Sequence, residues 1–334
     1  MSAVRQTIES NKDQVPEFCF IASDSAVSMP AQQNLSHYPW LRRLPEAMSS
    51  SFDIPLTFLG QDSLNRHPIT GTPKNDHFLP GGALRLTQAD GLIFGVMELN
   101  AENIAAATHE AYSTVLEALK QHPLYRLIRI WHYLPDINVE EKGMERYRQF
   151  SRARYEVMSS YGYRMAEDLP AASAVGSHGK TLVIHFIAGT GAMRTIENPR
   201  QVSAYLYPDT YGPRSPSFSR AISHRISGED HLFISGTASI VGHATIAPRD
   251  PEGQTEVTLD NLSALLTAEG YRSLEQLGVN AHWSIYIRNR MDIERIHTIV
   301  QARINPESTV CYLEGDICRQ DLMLEIEGYV INPS

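Results

Sequence analysis

The sequence predicts an α+β protein: two tandem copies of one α+β unit behind an irregular N-terminal extension. Three observations predict it. The order strand, helix, strand, helix, strand occurs twice at similar lengths. Between the copies, residues 203–220 (SAYLYPDTYGPRSPSFSR) are rich in Pro and Tyr and fit no regular element. Residues 1–80 are rich in Ser, Pro, Asn and Gln, with only short apolar pieces near Phe18 and Ile54. A chain of 334 residues is also long enough for two domains. The boundaries that follow are an extension over 1–80 packed on the first unit, a first unit over 81–190, a cleft-lining connector over 191–228 and a second unit over 229–334.

The first copy follows a loop, NDHFLPGG (75–82), and opens with the strand GLIFGVM from Gly91. A helix over 103–120 carries Ile104, Ala107, Ala111, Val115 and Leu119 at three-to-four spacing. A strand over 124–134 (LYRLIRIWHYL), a helix over 143–160 and a strand over 181–188 (TLVIHFIA) complete it. The second copy opens with HLFISGTA from His231. Its first helix, over 258–269, places Leu259, Leu262, Leu265 and Leu266 on one face. A strand follows over 281–288 (AHWSIYIR), then a helix over 291–302 with Ile293, Ile296, Ile299 and Val300. The last stretch, TVCYLEGDICRQDLMLEIEGYV (309–330), reads as strand, turn at Gly315-Asp316, strand.

Composition narrows the function classes. A hydrophobic fraction of 42% with 20% charged residues describes an ordinary globular protein. No apolar run has membrane-spanning length, and the first residues carry no apolar signal region. Three cysteines make no disulfide framework and fit a reducing cytoplasm. A net charge of −9 weighs against a nucleic-acid partner, while leaving room for a local arginine pocket and an anionic small molecule. There is no HExxH, no CxxC, no GxGxxG and no GxSxG, so neither metal nor cofactor is expected. AVGSHGKT (174–181) fits a loose phosphate-loop pattern. That chemistry needs a helix next, and TLVIHF is a strand by composition, so the match is read as chance.

Two stretches carry candidate chemistry. Glu325 sits in an apolar run with Leu322, Met323, Leu324 and Ile326, seven residues after Cys318. It is either a solvent-facing strand residue or an acid held in an apolar wall. ERYRQFSRARYE (145–156) is either a solvated helix face or a binding face. Tyr147, Phe150 and Arg154 fall at i, i+3, i+7, which sets a guanidinium on an aromatic face, suited to a bidentate carboxylate. Tyr211, Arg214 and Arg220 in the connector are turn residues or cleft lining. A semi-buried acid, a thiol, arginines and tyrosines suit general-acid chemistry on a small dicarboxylate.

Each copy resembles the RidA (YjgF) unit, through LIFGVMELN and its helix, FISGTASI (233–240) and LMLEIEG (322–328). From about residue 80 onward the chain resembles a chorismatase. The blocks that carry this are RIWHYLPDIN, GMERYRQFSRAR, YPDTYGPRSPSFSRA, FISGTASIVGHA and GDICRQDLMLEIEG. The resemblance implies two RidA-like halves with the site between them, and chorismate as a substrate that loses its enolpyruvyl group as pyruvate. It implies Glu325 as the general acid on the enol-ether methylene. Cys318 stands where the branch that makes 3-hydroxybenzoate carries a cysteine and the hydrolytic branch a small residue. 3-Hydroxybenzoate is therefore the expected product, with 4-hydroxybenzoate beside it in a dual-product branch. By matching motif, Arg154 and Tyr147 contact a carboxylate, Tyr211 closes the pocket, Ala238 lies near the ring and Arg303 is a further carboxylate contact. A monomer or a homotrimer is implied. The competing readings are a RidA-type imine or enamine deaminase and a non-enzymatic double-RidA protein that binds a metabolite.

Overall fold

A computed structural model describes residues 56–62, 75–78, 84–89, 91–226 and 228–332. Strands β1 (Thr57–Asp62), β2 (Asn75–Phe78), β3 (Leu84–Ala89) and β4 (Leu92–Asn100) lead into helix α1 (Ile104–Lys120). Then come β5 (Tyr125–Pro135), α2 (Arg146–Ser160), β6 (Ala171–Ser177) and β7 (Thr181–Thr190). The second half holds β8 (Met193–Ile196), β9 (Ala221–Ile226), β10 (Glu229–Thr237) and α3 (Pro251–Ala268). It ends with β11 (Ala281–Ile287), α4 (Ile293–Arg303), β12 (Thr309–Glu314) and β13 (Leu324–Asn332).

The first sheet runs β2-β3-β4-β7-β5-β6 and the second β1-β12-β11-β13-β10-β9-β8. Strand for strand, β3-β4-β7-β5-β6 matches β9-β10-β13-β11-β12. In each copy the last pair is parallel, β5 with β6 and β11 with β12. The repeat read from the element order is thus a repeat of topology. α1 and α2 cover the outer face of the first sheet, and α3 and α4 that of the second. The inner faces pack on each other, where Phe94, Trp131 and Val183 share a core with Phe233, Tyr286 and Tyr329. The result is four layers: helices, sheet, sheet, helices.

Strand periodicity places the chemistry. Along β13, Leu324, Ile326 and Val330 enter the core under α3 and α4. Glu325, Glu327 and Tyr329 therefore point the other way, between the sheets. Helix starts follow their caps. Asn103 caps α1 by accepting from the Ala106 amide at 3.1 Å. Asp250 caps α3 by accepting from the Gly253 amide at 3.1 Å, with Pro251 in the first turn.

Several expectations need correction. α3 begins at Pro251 rather than 258, because Asp-Pro is a helix start and not a turn here. Residues 75–78, expected in a loop, form β2 on the edge of β3. The extension was expected on the first unit. Its residues 75–78 do pair with β3 of the first sheet, whereas residues 57–62 pair antiparallel with β12 of the second. The piece near Phe18 lies outside the described residues. The connector contributes β8 and β9 to the second sheet, and the stretch between them, 197–220, holds no strand or α-helix. The two last strands are not a hairpin, since β11 lies between β12 and β13. Residues 315–323 are therefore a crossover. The phosphate-loop look-alike is two strands around a short turn, the second of them as its composition indicates. Among the described residues, no helix is long and apolar enough to cross a membrane.

Gly95 in β4 faces Phe186 across the β4–β7 pairing, and a Cβ there would collide with the ring. Gly95→Ala should cost about 1–3 kcal/mol by overpacking, read as a lower midpoint in denaturant unfolding.

Candidate active site

Between the two units lies a cavity of about 570 Å³, within the usual range for a small organic ligand. Its floor is the meeting of β6 from the first sheet with β10 and β13 from the second. Direct bonds fix that seam. The Ala172 amide donates to Ser235 Oγ at 2.8 Å, and the Gly236 amide donates to Ser173 Oγ at 2.9 Å. α2 and the connector supply the walls, and the crossover after β12 supplies one side of the mouth.

Glu325 reaches this cavity from β13 and is 5% exposed. Its Oε1 has no hydrogen-bond partner among the described residues. Burial pushes its carboxyl up to about 8, helped by the charge of Glu327 and opposed by Arg129 and Arg220. At neutral pH it is therefore a carboxylic acid with a proton to give. Gly236 leaves it room, since a Cβ there would collide with Oε1.

Glu327 is in a different situation on the same strand face. Arg129 Nη2 donates to its Oε2 at 2.6 Å and Trp131 Nε1 to its Oε1 at 2.8 Å. Ser173 Oγ donates to Oε2 at 2.5 Å. Two carboxyls on one face thus divide: one unpaired and protonated, one paired with a cation.

Two buried arginines face the same space, each 2% exposed. Arg154, on α2, has Nε and Nη2 without partners among the described residues. Its guanidinium lies over the Tyr112 ring, 5.4 Å from the centroid. Arg220 anchors Nη2 on the Val202 carbonyl and the Tyr207 hydroxyl, at 3.0 and 2.7 Å, and leaves Nε unpaired. Buried polar groups of this kind are normally paired, so the donors suit a ligand carrying carboxylates. Arg319 at the mouth stacks 3.9 Å from the Tyr211 ring centroid.

Cys318 sits on the crossover. Arg288 grips that segment, donating to the carbonyls of Leu322, Ile317 and Arg319 at 2.8, 2.9 and 2.9 Å. Gln254 of α3 ties its far end, accepting from the Met323 amide at 2.7 Å. Burial, and then the neighbouring Glu325, push the Cys318 thiol up to about 12. It is a neutral S–H, not a thiolate nucleophile.

Glu325, Cys318, Arg154, Tyr147, Tyr211 and Ala238 all line this one cavity. Arg303 does not, and its expected place is corrected. It ends α4 on the outer side of the second unit, where its guanidinium is paired with Glu256 and Asp260. The residues intervening before β12 carry it away from the seam. Arg146, in the same arginine-rich helix, is a brace: it donates to the carbonyls of Pro135 and Ala101 and pairs with Glu141. Sequence reasoning did not single out Glu327, Arg129 or Ser173. A charged residue inside the apolar strand LYRLIRIWHYL was the available signal for Arg129, whereas Ser173 gave none. Among the described residues, no group of three or more His, Cys, Asp or Glu is placed to hold a metal.

Glu325 also bears on stability. Its pKa is higher in the folded chain than the ordinary carboxylate value, so the folded state holds the extra proton between those two values. Stability then falls as pH rises from about 4.5 to about 8. Glu325→Gln should remove that slope, leaving the variant more stable than the parent at pH 8 by a few kcal/mol, on the order of what such a shift implies. Denaturant unfolding at pH 5 and pH 8 checks this, since equal differences at both would contradict it.

Comparison with known proteins agrees with this geometry. A family model described as Chorismatase FkbO/Hyg5-like, N-terminal, matches residues 76–188. A protein named Chorismatase from Streptomyces hygroscopicus is 36% identical over 251 residues, 73% of this chain and 73% of the relative. A protein named 3-hydroxybenzoate synthase from Streptomyces hygroscopicus is 35% identical over 236 residues, 67% of this chain and 69% of the relative. A crystal structure of a chorismatase superposes with a TM-score of 0.68 at 34% identity, covering 79% of this chain and 80% of that one. With two tandem α+β units and an acid-and-arginine cavity at their seam, this chain belongs to the chorismatase family.

Proposed function

We propose that this chain converts chorismate to 3-hydroxybenzoate and pyruvate, with Glu325 as the acid. The observation that carries the reading is a protonated, unpaired carboxyl in a cavity that also presents unpaired donors of two buried arginines. Chorismate brings two carboxylates for Arg154 and Arg220 and an enol ether for Glu325.

The chemistry closes without a co-reactant. The Glu325 O–H gives its proton to the methylene carbon of the enolpyruvyl group, and the ether carbon becomes electrophilic. The substrate's 4-hydroxyl oxygen attacks the ring carbon that bears the ether. That carbon–oxygen bond breaks, and its electron pair forms the keto group of pyruvate. The hydroxyl proton returns to the Glu325 carboxylate. The arene oxide left behind opens and loses a ring proton to become 3-hydroxybenzoate. An acid with a pKa near the working pH suits such a step, because it both holds and releases a proton there.

Cys318 supports the internal attack over hydrolysis. A neutral thiol beside Glu325 fills wall space without offering a competing nucleophile. Both units of the chain line the cavity, and the assembly carried with this reading is a monomer or a homotrimer. A reducing cytoplasm is the compartment carried with this reading, in which the Cys318 thiol of the site stays reduced.

Purified protein given chorismate alone should release pyruvate and 3-hydroxybenzoate in equal amounts. Untouched chorismate would overturn the reading and favour a deaminase or a metabolite-binding protein. Glu325→Gln should lower kcat by about 10²–10⁴-fold, the usual worth of a positioned general acid. Cys318→Ala should add a dihydrodiol acid to the products on liquid chromatography, because water then reaches the ring. An unchanged product profile would remove Cys318 from the mechanism.

A further inference from the structure

Glu327 lies behind the cavity wall. Ser173 lines the cavity, and Glu327 stands on the far side of the Ser173 hydroxyl. It accepts hydrogen bonds from Arg129, Trp131 and Ser173, the pattern of an ionised carboxylate. Arg129 is held in turn by Ser173 Oγ at 2.6 Å and lies over the Trp131 ring, 4.7 Å from its centroid. Glu327, Arg129 and Trp131 do not line the cavity, yet they join two sheets and are almost fully buried. A purely structural link between sheets needs no charge, and buried ion pairs are replaceable by apolar packing. The charge needs another account, and its neighbour on the strand supplies one. Glu325 and Glu327 are two residues apart on one face, about 6.6 Å along a strand.

We propose that Glu327 is a positioning residue for the acid: clamped as a carboxylate behind the wall, it holds Glu325 in the protonated form that the reaction uses. The groups facing Glu325 are few. Glu327 is on its own strand, Arg129 on β5, Arg220 on the connector, Cys318 on the crossover, and Tyr147 and Arg154 on α2. Tyr286 is its partner across β11. Tyr147 is held as a neutral phenol by burial, and Cys318 as a neutral thiol. Glu327 is therefore the anion that acts on Glu325 against the cations Arg129 and Arg220, while Glu145 and Asp321 lie elsewhere on the cavity lining. After burial, its charge is the largest influence that raises the Glu325 carboxyl. Arg129 acts twice: it opposes that influence directly and fixes Glu327 in place.

This inference rests on the reading of Glu325 as the proton donor. Its test is the pH profile of kcat/KM for pyruvate release from chorismate, whose alkaline limb reports loss of the Glu325 proton in the free enzyme. Glu327→Gln keeps the size, removes the anion and leaves Arg129 without its counter-charge. Both changes favour the Glu325 carboxylate, so the limb should move to lower pH by about one to two units. Activity should recover toward the parent value at pH below the new limb. A limb at the parent pH with a uniform loss would overturn the proposal and leave Glu327 a structural residue. Where Glu327→Gln does not fold, Trp131→Phe decides, because it removes one donor and keeps both charges. Its limb should rise above the parent pH, because Glu327 keeps its charge with one donor fewer to offset it, and a limb at or below the parent pH overturns the proposal. The parent protein in the same assay separates the two readings. No pyruvate from the parent sinks the chorismate function, whereas turnover with unmoved limbs sinks only the role of Glu327.

Discussion

The ion pair of Arg129 with Glu327 joins the two halves of this protein at the point where its chemistry happens. Both side chains are almost fully buried, so neither charge has bulk water to fall back on. Removing one partner from such a pair typically costs about 3–5 kcal/mol, because the other is left as an uncompensated buried charge. The surrounding geometry follows from keeping the pair satisfied. Trp131 and Ser173 donate to the same carboxylate, and Ser173 accepts from the Gly236 amide. That places the edge strand of the first sheet against the strands of the second. The cavity is what remains between them, and Glu325 is the side chain that the strand period then aims into it.

The first unit contributes the cationic arm in the same way. His132 is buried, and burial holds its imidazole neutral, well below the usual histidine range. Its Nδ1 donates to the Ser173 carbonyl at 2.7 Å, which leaves Nε2 to accept from the Tyr112 hydroxyl at 2.6 Å. Tyr112 is thereby fixed, and its ring supports the Arg154 guanidinium. Ser173 is the common point of both arms. Its backbone carbonyl anchors the path to Arg154, and its hydroxyl anchors the path to Glu327. Acid and cation are thus both tied to one residue, which couples their positions across the seam.

The repeat was legible because each unit alternates helical and strand periods with little interruption. Helix ends and short edge strands were less so. α3 was read too short because Pro and Gly near its start look like a turn when the Asp250 cap is not recognised. Strands β1, β2, β3, β6, β8 and β9 are not legible in the sequence; β1, β2, β6 and β8 lie at sheet edges, where pairing does not demand a long apolar run, and β3 and β9 are short and polar-interrupted strands beside them. The closing strands were read as a hairpin because nothing local reveals that a third strand lies between them. Six of the seven site residues named from sequence line one cavity, and their motifs lie on elements that meet at the seam. Arg303 fails because its neighbours in the fold are acidic residues of α3, a contact that sequence order does not show.

The sequence by itself determined the class of fold, the doubling of the unit and the chemistry on offer, because periodicity and residue type are local properties. It carried Glu325 in an apolar strand and Arg154 on an aromatic helix face. Only the tertiary structure decided which acid keeps its proton. Glu325 and Glu327 are the same residue type, on the same strand face, in the same motif. One meets Arg129, Trp131 and Ser173 from the other sheet, and the other meets a cavity. That difference is set by which surface of the first unit packs over each position, and packing between distant segments is written in no short stretch of the chain.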